Sequence, residues 1–147
     1  MANSYSFKDC SASLVGPTGT ANLGHGAGVA EEGISIDMAG DKNTMTIGAD
    51  GRPMHSLHAD RSGQVTVRLQ KTSPVNAILQ AMYDAQSLSA SLWGQNVIIV
   101  RQTASGDVTT ATACAFKKKP NLGYAKDGNT VEWVWDAGTI DTVLGQY

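Results

Sequence analysis

Apolar and polar side chains alternate over residues 64–70, which read Gln-Val-Thr-Val-Arg-Leu-Gln. A repeat of two residues places successive side chains on opposite sides of an extended strand. Val65, Val67 and Leu69 therefore share one side, and the polar residues share the other. The segment predicts a β-strand with one buried face and one polar face.

The residues after this strand predict an amphipathic helix over about residues 74–88. Ser73 is suited to the N-cap and Pro74 to the first helical position, where a missing N–H has no cost. Helical spacing then repeats in a set of apolar residues that would form one face: Val75, Ile78, Leu79 and Met82. A strand that leads directly into such a helix indicates a sheet with a helix packed on it.

Other periodic segments also predict strands. Alternation or β-branched runs, bounded by turn residues, occur at residues 5–15, 33–38, 96–102, 108–116 and 130–136. We expect the apolar run at 97–100 to be buried on both faces, and residues 139–147 could add an edge strand. No strand–helix–strand rhythm occurs. The chain therefore predicts a mainly β fold, an antiparallel β-sandwich or barrel with one flanking α-helix, and a single domain over residues 1–147.

Residues 39–61 lack the periodicity of the other segments. The stretch is polar and interrupted by glycine, with one short strand candidate at 43–47 and a turn at 49–51. A weakly patterned segment of this length is typical of a functional loop. We therefore expect a long loop or arm over about residues 39–61.

The composition narrows the classes of function. The formal net charge of the chain is −2, whereas a protein that grips nucleic acid needs an excess of basic residues. No apolar run approaches the ~20 residues of a membrane helix, and the N-terminus has no segment of signal-peptide type. We expect Cys10 and Cys114 to be small buried hydrophobic residues in a reducing compartment, with a disulfide or a metal pair as the alternative.

None of the polar clusters predicts catalysis or cofactor binding. His55 and His58 lie in a glycine-flanked segment that does not supply the three fixed ligands of a zinc site. The acidic residues between 37 and 50 lack the spacing of an EF-hand loop. Residues 24–28 lack the spacing of a nucleotide loop, and no GxSxG elbow occurs. We predict no enzyme activity, no catalytic residue, no cofactor and no metal.

Two further features favour structural roles. Lys117, Lys118 and Lys119 form the one charge run; lysines at a strand end usually prevent unwanted pairing of a solvated edge. Contact with an acidic neighbouring subunit is the alternative. Trp133 and Trp135 alternate with polar residues, which favours burial in a core or a subunit seam over a stacking platform for sugars or bases.

Several segments, in order and spacing, resemble the tail tube proteins of contractile-tailed bacteriophages. They are residues 5–9 (Tyr-Ser-Phe-Lys-Asp), residues 41–51, the strand at 62–69 (Ser-Gly-Gln-Val-Thr-Val-Arg-Leu), residues 72–76 (Thr-Ser-Pro-Val-Asn) with the leucine of the following helix, and the strand near Trp133. Together they cover most of the chain. The resemblance is to a structural signature, since none of these segments carries chemistry.

The resemblance implies a structural virion protein. Six copies would join edge to edge in a ring, which pairs the free edges of the sheet. Rings would stack into the inner tail tube, a conduit for DNA ejection into the host. The implied partners are other copies of the chain, the tail sheath, the baseplate or tube initiator, the tail terminator, and, held in the lumen without specific binding, the tape measure protein and genomic DNA. No membrane is implied, and the protein would be located in the virion tail after assembly in the bacterial cytoplasm.

The resemblance also implies roles for particular residues. The arm would reach a neighbouring subunit or the next ring through Asp41, Asn43, Met45, Ile47, Met54 and Leu57. A DNA conduit must not bind phosphates, so the candidates for the lumen are short polar residues: Ser35, Asp37, Gln64 and Thr66. Arg68 lies on the same side as Thr66; either an acid of a neighbour pairs with it, or this face does not line the bore. Candidate contacts to the sheath or a neighbour are Lys117, Lys118 and Lys119.

Two other functions stay open from the sequence. A tube protein of a related contractile injection system, such as a type VI secretion needle or a tailocin, would carry the same signature. A small monomeric β-barrel that binds an apolar ligand belongs to a different class. It would leave the apolar side chains of residues 39–61 in water, which speaks against it.

Overall fold

A computed structural model describes residues 3–147. Within that range the chain forms ten β-strands, one α-helix and a 3-10 turn over Phe7–Asp9. The elements are β1 (Cys10–Gly16), β2 (Gly19–Asn22), β3 (Val29–Met38), β4 (Asn43–Ile47), β5 (Pro53–Leu57), β6 (Gly63–Gln70), α1 (Val75–Gln86), β7 (Asn96–Gln102), β8 (Asp107–Phe116), β9 (Thr130–Ala137) and β10 (Thr139–Val143). The prediction of a mainly β fold with one helix is confirmed.

Eight of the described strands form an antiparallel sheet. Its path is β2-β1-β7-β8-β9-β6-β3, and β10 pairs with β8 beside this path. The end strands β2 and β3 do not pair with each other, so the sheet does not close. The architecture is therefore a sandwich rather than a closed barrel.

Strand β8 joins the two halves of the sandwich. Its first residues pair with β7 and β10, whereas Ala115 and Phe116 pair with Asp136 and Trp135 of β9. Between these parts lies Ala113, whose φ of 54° falls in the left-handed region, at a cost of roughly 1–3 kcal/mol for a residue other than glycine. The resulting kink turns the strand from one half to the other.

Alternation on β6 and β9 builds the core as the sequence predicts. The two strands bring six buried apolar side chains to one face in register: Val65, Val67, Leu69, Val131, Trp133 and Trp135. The ring of Phe116 packs between those of Trp133 and Trp135, with centroids 5.9 and 5.4 Å away. The two tryptophans are therefore core residues of the subunit.

Helix α1 covers this core with one face. The buried residues of the helix are spaced four, three and four apart: Val75, Leu79, Met82 and Gln86. Ile78, expected on this face, lies beside it and is 44% exposed. Pro74 already has helical backbone angles, and the Ser73 hydroxyl oxygen accepts a hydrogen bond from the Val75 N–H at 3.3 Å. Ser73 thus satisfies a free N–H group at the start of the helix.

Strand β7 departs from the expectation of burial on both faces. Ile98 is buried, but Val97, Ile99 and Val100 are only half-buried. The reason is that the second face of this antiparallel strand is not covered by another layer. The C-terminal segment does add an edge strand, since β10 pairs with β8 in register from Thr139 to Val143.

Candidate assembly surfaces

The segment 39–61 is a β-hairpin rather than an irregular loop. Strands β4 and β5 pair in register from Asn43 opposite Leu57 to Ile47 opposite Pro53. The ladder continues that of β3 and β6, because the Ala39 N–H donates to the Ser62 carbonyl oxygen at 3.0 Å. The sequence showed β4 but not β5, since the proline and histidines of residues 53–58 hide the alternation. We call residues 39–61 the arm.

Hydrogen bonds at the arm are local. His55 contacts the Asn43 side chain at 3.3 Å, and His58 Nε2 lies 2.6 Å from the Thr44 hydroxyl. The side chain and N–H of Ser62 both donate to Asp60, and these bonds hold the pKa of that carboxyl below its usual value. The histidines therefore brace the hairpin, and in residues 3–147 no group of three His, Cys, Asp or Glu side chains could hold a metal ion.

The arm leaves large apolar side chains in water. Met45, Ile47, Met54 and Leu57 are 56%, 54%, 60% and 81% exposed, and Asp41 and Asn43 are exposed beside them. The pairing register places Met45, Ile47 and Leu57 on one face of the hairpin, while Met54 lies on the other. This apolar face has no cover within the subunit, and burial of such side chains is favourable at about 25 cal/mol per Å².

Ser35, Asp37, Gln64 and Thr66 come together on one outer face of the sandwich. Ser35 lies opposite Thr66 in the β3–β6 ladder, and Asp37 lies opposite Gln64. In the β6–β9 ladder Gln64 lies opposite Asp136 and donates to its carboxylate at 3.2 Å. The four residues predicted as a group therefore form a continuous polar face, although Thr66 itself is buried within it.

Arg68 is paired within its own subunit. Its guanidinium contacts the Glu132 carboxylate at 3.3 Å and donates to the Ser35 hydroxyl at 3.0 Å. The acid is thus supplied by β9 of the same chain, which neither alternative considered from the sequence had foreseen. With Arg68 neutralised, Asp37 and Asp136 leave the polar face with negative charge.

Lys117, Lys118 and Lys119 are exposed. They do not form a tight hairpin, because the connection from β8 to β9 runs from residue 117 to residue 129. Lys71 holds the far side of this connection, with its ammonium group 2.9 Å from the Gly123 carbonyl oxygen and 3.9 Å from the centre of the Tyr124 ring. Tyr124 is itself 86% exposed, a feature that no periodic signal in the sequence indicated.

The cysteines offer no reactive site. Cys114 is fully buried, and burial raises the pKa of its thiol to about 11. Burial also raises the pKa of the half-buried Cys10. Both thiols are free and mainly protonated at neutral pH, as the expectation of small hydrophobic residues requires. In the described residues no helix is both long enough and apolar enough to cross a membrane.

Solved structures of contractile injection systems share this fold. The sheath/tube terminator of an extracellular contractile injection system, PVC, matches with a TM-score of 0.66 and 12% identity, over 97% of this chain and 98% of that one. A chain of the PVC sheath-tube complex matches with a TM-score of 0.61 and 11% identity, over 92% and 88%. The tube-terminating cap of the anti-feeding prophage matches with a TM-score of 0.57 and 9% identity, over 99% and 95%.

Comparison at the level of sequence identifies the family. No curated protein matches the chain. Residues 1–145, however, match the family model of the bacteriophage PhiTE tail tube protein. This family is structural and has no enzymatic activity, in agreement with the absence of a catalytic motif in the sequence. The chain therefore belongs to the bacteriophage PhiTE tail tube protein family and is a structural component of a phage tail.

Proposed function

We propose that copies of this chain join into hexameric rings, and that the rings stack into the inner tube of a contractile tail through which DNA is ejected. The observation that carries the proposal is the arm, whose apolar face is exposed in the subunit. An exposed apolar surface of this kind marks an interaction site. Its cover would come from another copy in the same ring or the next one.

The arm is the main element of contact between subunits in this proposal. Met45, Ile47 and Leu57 would anchor it on its apolar face, and Met54 would make contacts on the opposite face. Asp41 and Asn43 lie at its base, where they would make polar contacts. Association of two subunits is favourable because each anchor leaves water when it is covered.

The polar face of β3, β6 and β9 would line the lumen. Three carboxylates (Asp37, Glu132 and Asp136) lie there with a single guanidinium, that of Arg68. Phosphate groups gain no counterion release from such a surface. Ser35, Gln64 and Thr66 add only short or neutral polar groups. Genomic DNA and the tape measure protein would therefore pass through or occupy the bore without specific binding.

The partners outside the tube follow from the exposed basic loop and from the structural neighbours. Lys117, Lys118 and Lys119 would contact the sheath or an acidic surface of a neighbouring subunit. Neighbours of the same fold come from a sheath-tube complex, a sheath/tube terminator and a baseplate. We therefore assign sheath, baseplate and terminator proteins as partners, with assembly in the host cytoplasm.

A tube of a related injection system is the second candidate, and the structural neighbours from PVC and the anti-feeding prophage favour it. A tailocin would have the same tube without a DNA-filled head. The monomeric ligand-binding barrel has less support, because the sheet is not a closed barrel. A virion or tailocin purified from the source and analysed for encapsidated DNA would separate the first two candidates.

The tube itself is tested by negative-stain electron microscopy of the purified protein at high concentration. We expect rings or hollow rods of constant width. A variant with Met45→Ser and Leu57→Ser should stay monomeric at the same concentration, whereas Thr44→Ser with Thr46→Ser, on the other face of the arm, should still assemble. Monomers of the unaltered protein at every concentration and salt condition would contradict the proposal.

A further inference from the structure

An open groove lies between the two halves of the sandwich at the chain ends. Its volume is about 580 Å³, within the range of sites that bind ligands. Its apolar lining comes from β3, β7 and the C-terminal segment, including Ile34, Ile36, Val100 and Leu144. Tyr5 and Tyr147, near the two ends of the chain, also line it.

Polar groups in the groove indicate an extended polypeptide as the occupant. The Gln102 side chain lines the groove and is 7% exposed, yet within residues 3–147 its Oε1 atom meets no hydrogen-bond donor. A buried acceptor without a donor is costly. Strand β3, which forms one wall, is an end strand of the described sheet. Its free edge can accept the backbone of an added strand.

The arm has the chemistry that this groove requires. Its apolar face consists of six side chains in register: Asn43, Met45, Ile47, Pro53, His55 and Leu57. The face contains no acid, and its one ionisable group is His55. The groove carries Glu31, Glu32 and Asp107 against the single cation Arg101. An apolar face without acids therefore meets an apolar groove with an excess of acids, and the two are complementary in charge.

The arm of the same subunit is poorly placed to fill the groove. It continues the β3–β6 ladder from the end of β3, which is itself a wall of the groove. None of the residues that line the groove belongs to the arm. We propose that the groove beside β3 receives the apolar face of the arm from a second copy of the chain. This inference rests on the proposed tube function and names the receiving surface of the contact.

Disulfide formation between two differently tagged variants tests the proposal in the full-length protein. Both carry Cys10→Ala, since Cys10 lines the groove. One also carries Met45→Cys in the arm, and the other carries Leu144→Cys at the groove. Leu144 is 75% exposed, so this change leaves the core intact. After mixing, assembly and mild oxidation, we expect a mixed disulfide that is at least several-fold more abundant than in the controls.

Two matched controls replace one partner at a time. Thr46→Cys lies on the opposite face of the same arm, and Ser13→Cys is exposed on β1 outside the groove. Equal yields in tests and controls, in a preparation that forms tubes, would overturn the docking proposal and leave the tube function standing. Selective cross-linking in a preparation without tubes would support docking and contradict the tube. A dilute monomer carrying both Met45→Cys and Leu144→Cys that closes a disulfide within one chain would overturn the choice of a second copy.

Discussion

Gln86 and Asn96 form a buried amide pair that ties the end of α1 to the start of β7. Each side-chain NH₂ donates to the carbonyl oxygen of the other at 2.8 Å, and both residues are fully buried. Gly16 packs directly against the pair, because a Cβ atom at this position would lie 2.1 Å from Asn96 Oδ1. The pair satisfies its own polar groups where water cannot reach them, so it specifies how the helix docks.

Removal of one partner should leave the other amide buried without its hydrogen bonds. We expect Gln86→Leu or Asn96→Leu to lower the free energy of unfolding by about 1–3 kcal/mol. The double variant should lose less than the sum of the two, by roughly 0.5–3 kcal/mol. Urea denaturation of the four proteins measures this coupling. Simple additivity would show that the two amides do not act as a pair.

The Cys114 thiol should make stability depend on pH in the alkaline range. Its pKa is about 11 in the folded protein, against a model value of 9.0 for an unperturbed thiol. Between pH 9 and 11 the unfolded chain releases this proton and the folded chain retains it, so stability falls as pH rises. Its contribution is fully present below pH 9.

Urea denaturation at pH 8, 9, 10 and 11 measures this effect. We expect the Cys114→Ala variant to be less stable at pH 8 because of the cavity it creates, but to lose less stability between pH 9 and 11 than the unaltered protein. Other groups that titrate in this range are common to both proteins and cancel in the comparison. Parallel pH profiles would contradict the assignment.

The arm is a two-stranded hairpin without packing against the rest of the subunit, and isolated hairpins of this kind are marginally stable in water. The neighbouring strand β6 is paired on both sides, with β3 and β9, and carries buried residues along one face. These two segments are adjacent in sequence but differ in every source of stability. Their local opening free energies should therefore differ.

Hydrogen exchange of the monomer should show this difference. We expect backbone amides of the arm to exchange faster than those of β6 by orders of magnitude, since the arm can open without disrupting the core. Mass spectrometry of peptides covering residues 39–61 and 63–70 gives both rates in one experiment. In assembled tubes the arm should become protected. Protection of the arm in the monomer equal to that of the sheet would refute the expectation.

The polar β3–β6–β9 face and the basic loop at 117–119 lie on different parts of the subunit, and the proposed tube assigns them to opposite surfaces. Asp37 belongs to the polar face, and Lys118 belongs to the loop. A bore just wide enough for its cargo excludes a bulky protein reagent, whereas the outside of the tube does not. Access of such a reagent therefore distinguishes the two surfaces.

We expect biotin attached at Asp37→Cys to bind streptavidin in the monomer but not in assembled tubes. Biotin attached at Lys118→Cys should bind in both. Both variants carry Cys10→Ala, and Cys114 is buried away from the label. Retention of streptavidin by the Asp37→Cys tubes along their length would show that the polar face does not line the lumen.

Periodic segments were predictable because their signal is local. Alternation at β6 and β9 identified both strands, their buried faces and the core tryptophans, and helical spacing identified α1. The polar candidates Ser35, Asp37, Gln64 and Thr66 were grouped correctly for the same reason, since residues on one face of paired strands recur at every second position. The family resemblance rested on these same segments.

The sequence by itself determined which residues are buried or exposed along each regular strand, since side-chain period is a property of neighbouring residues. Only the tertiary structure decided which strands pair, and therefore that Glu132, 64 residues from Arg68, neutralises it. It also decided that the arm is a hairpin, that Gln86 meets Asn96, and that a groove opens beside β3. Each of these depends on contacts between segments distant in sequence, whose pairing no local repeat encodes.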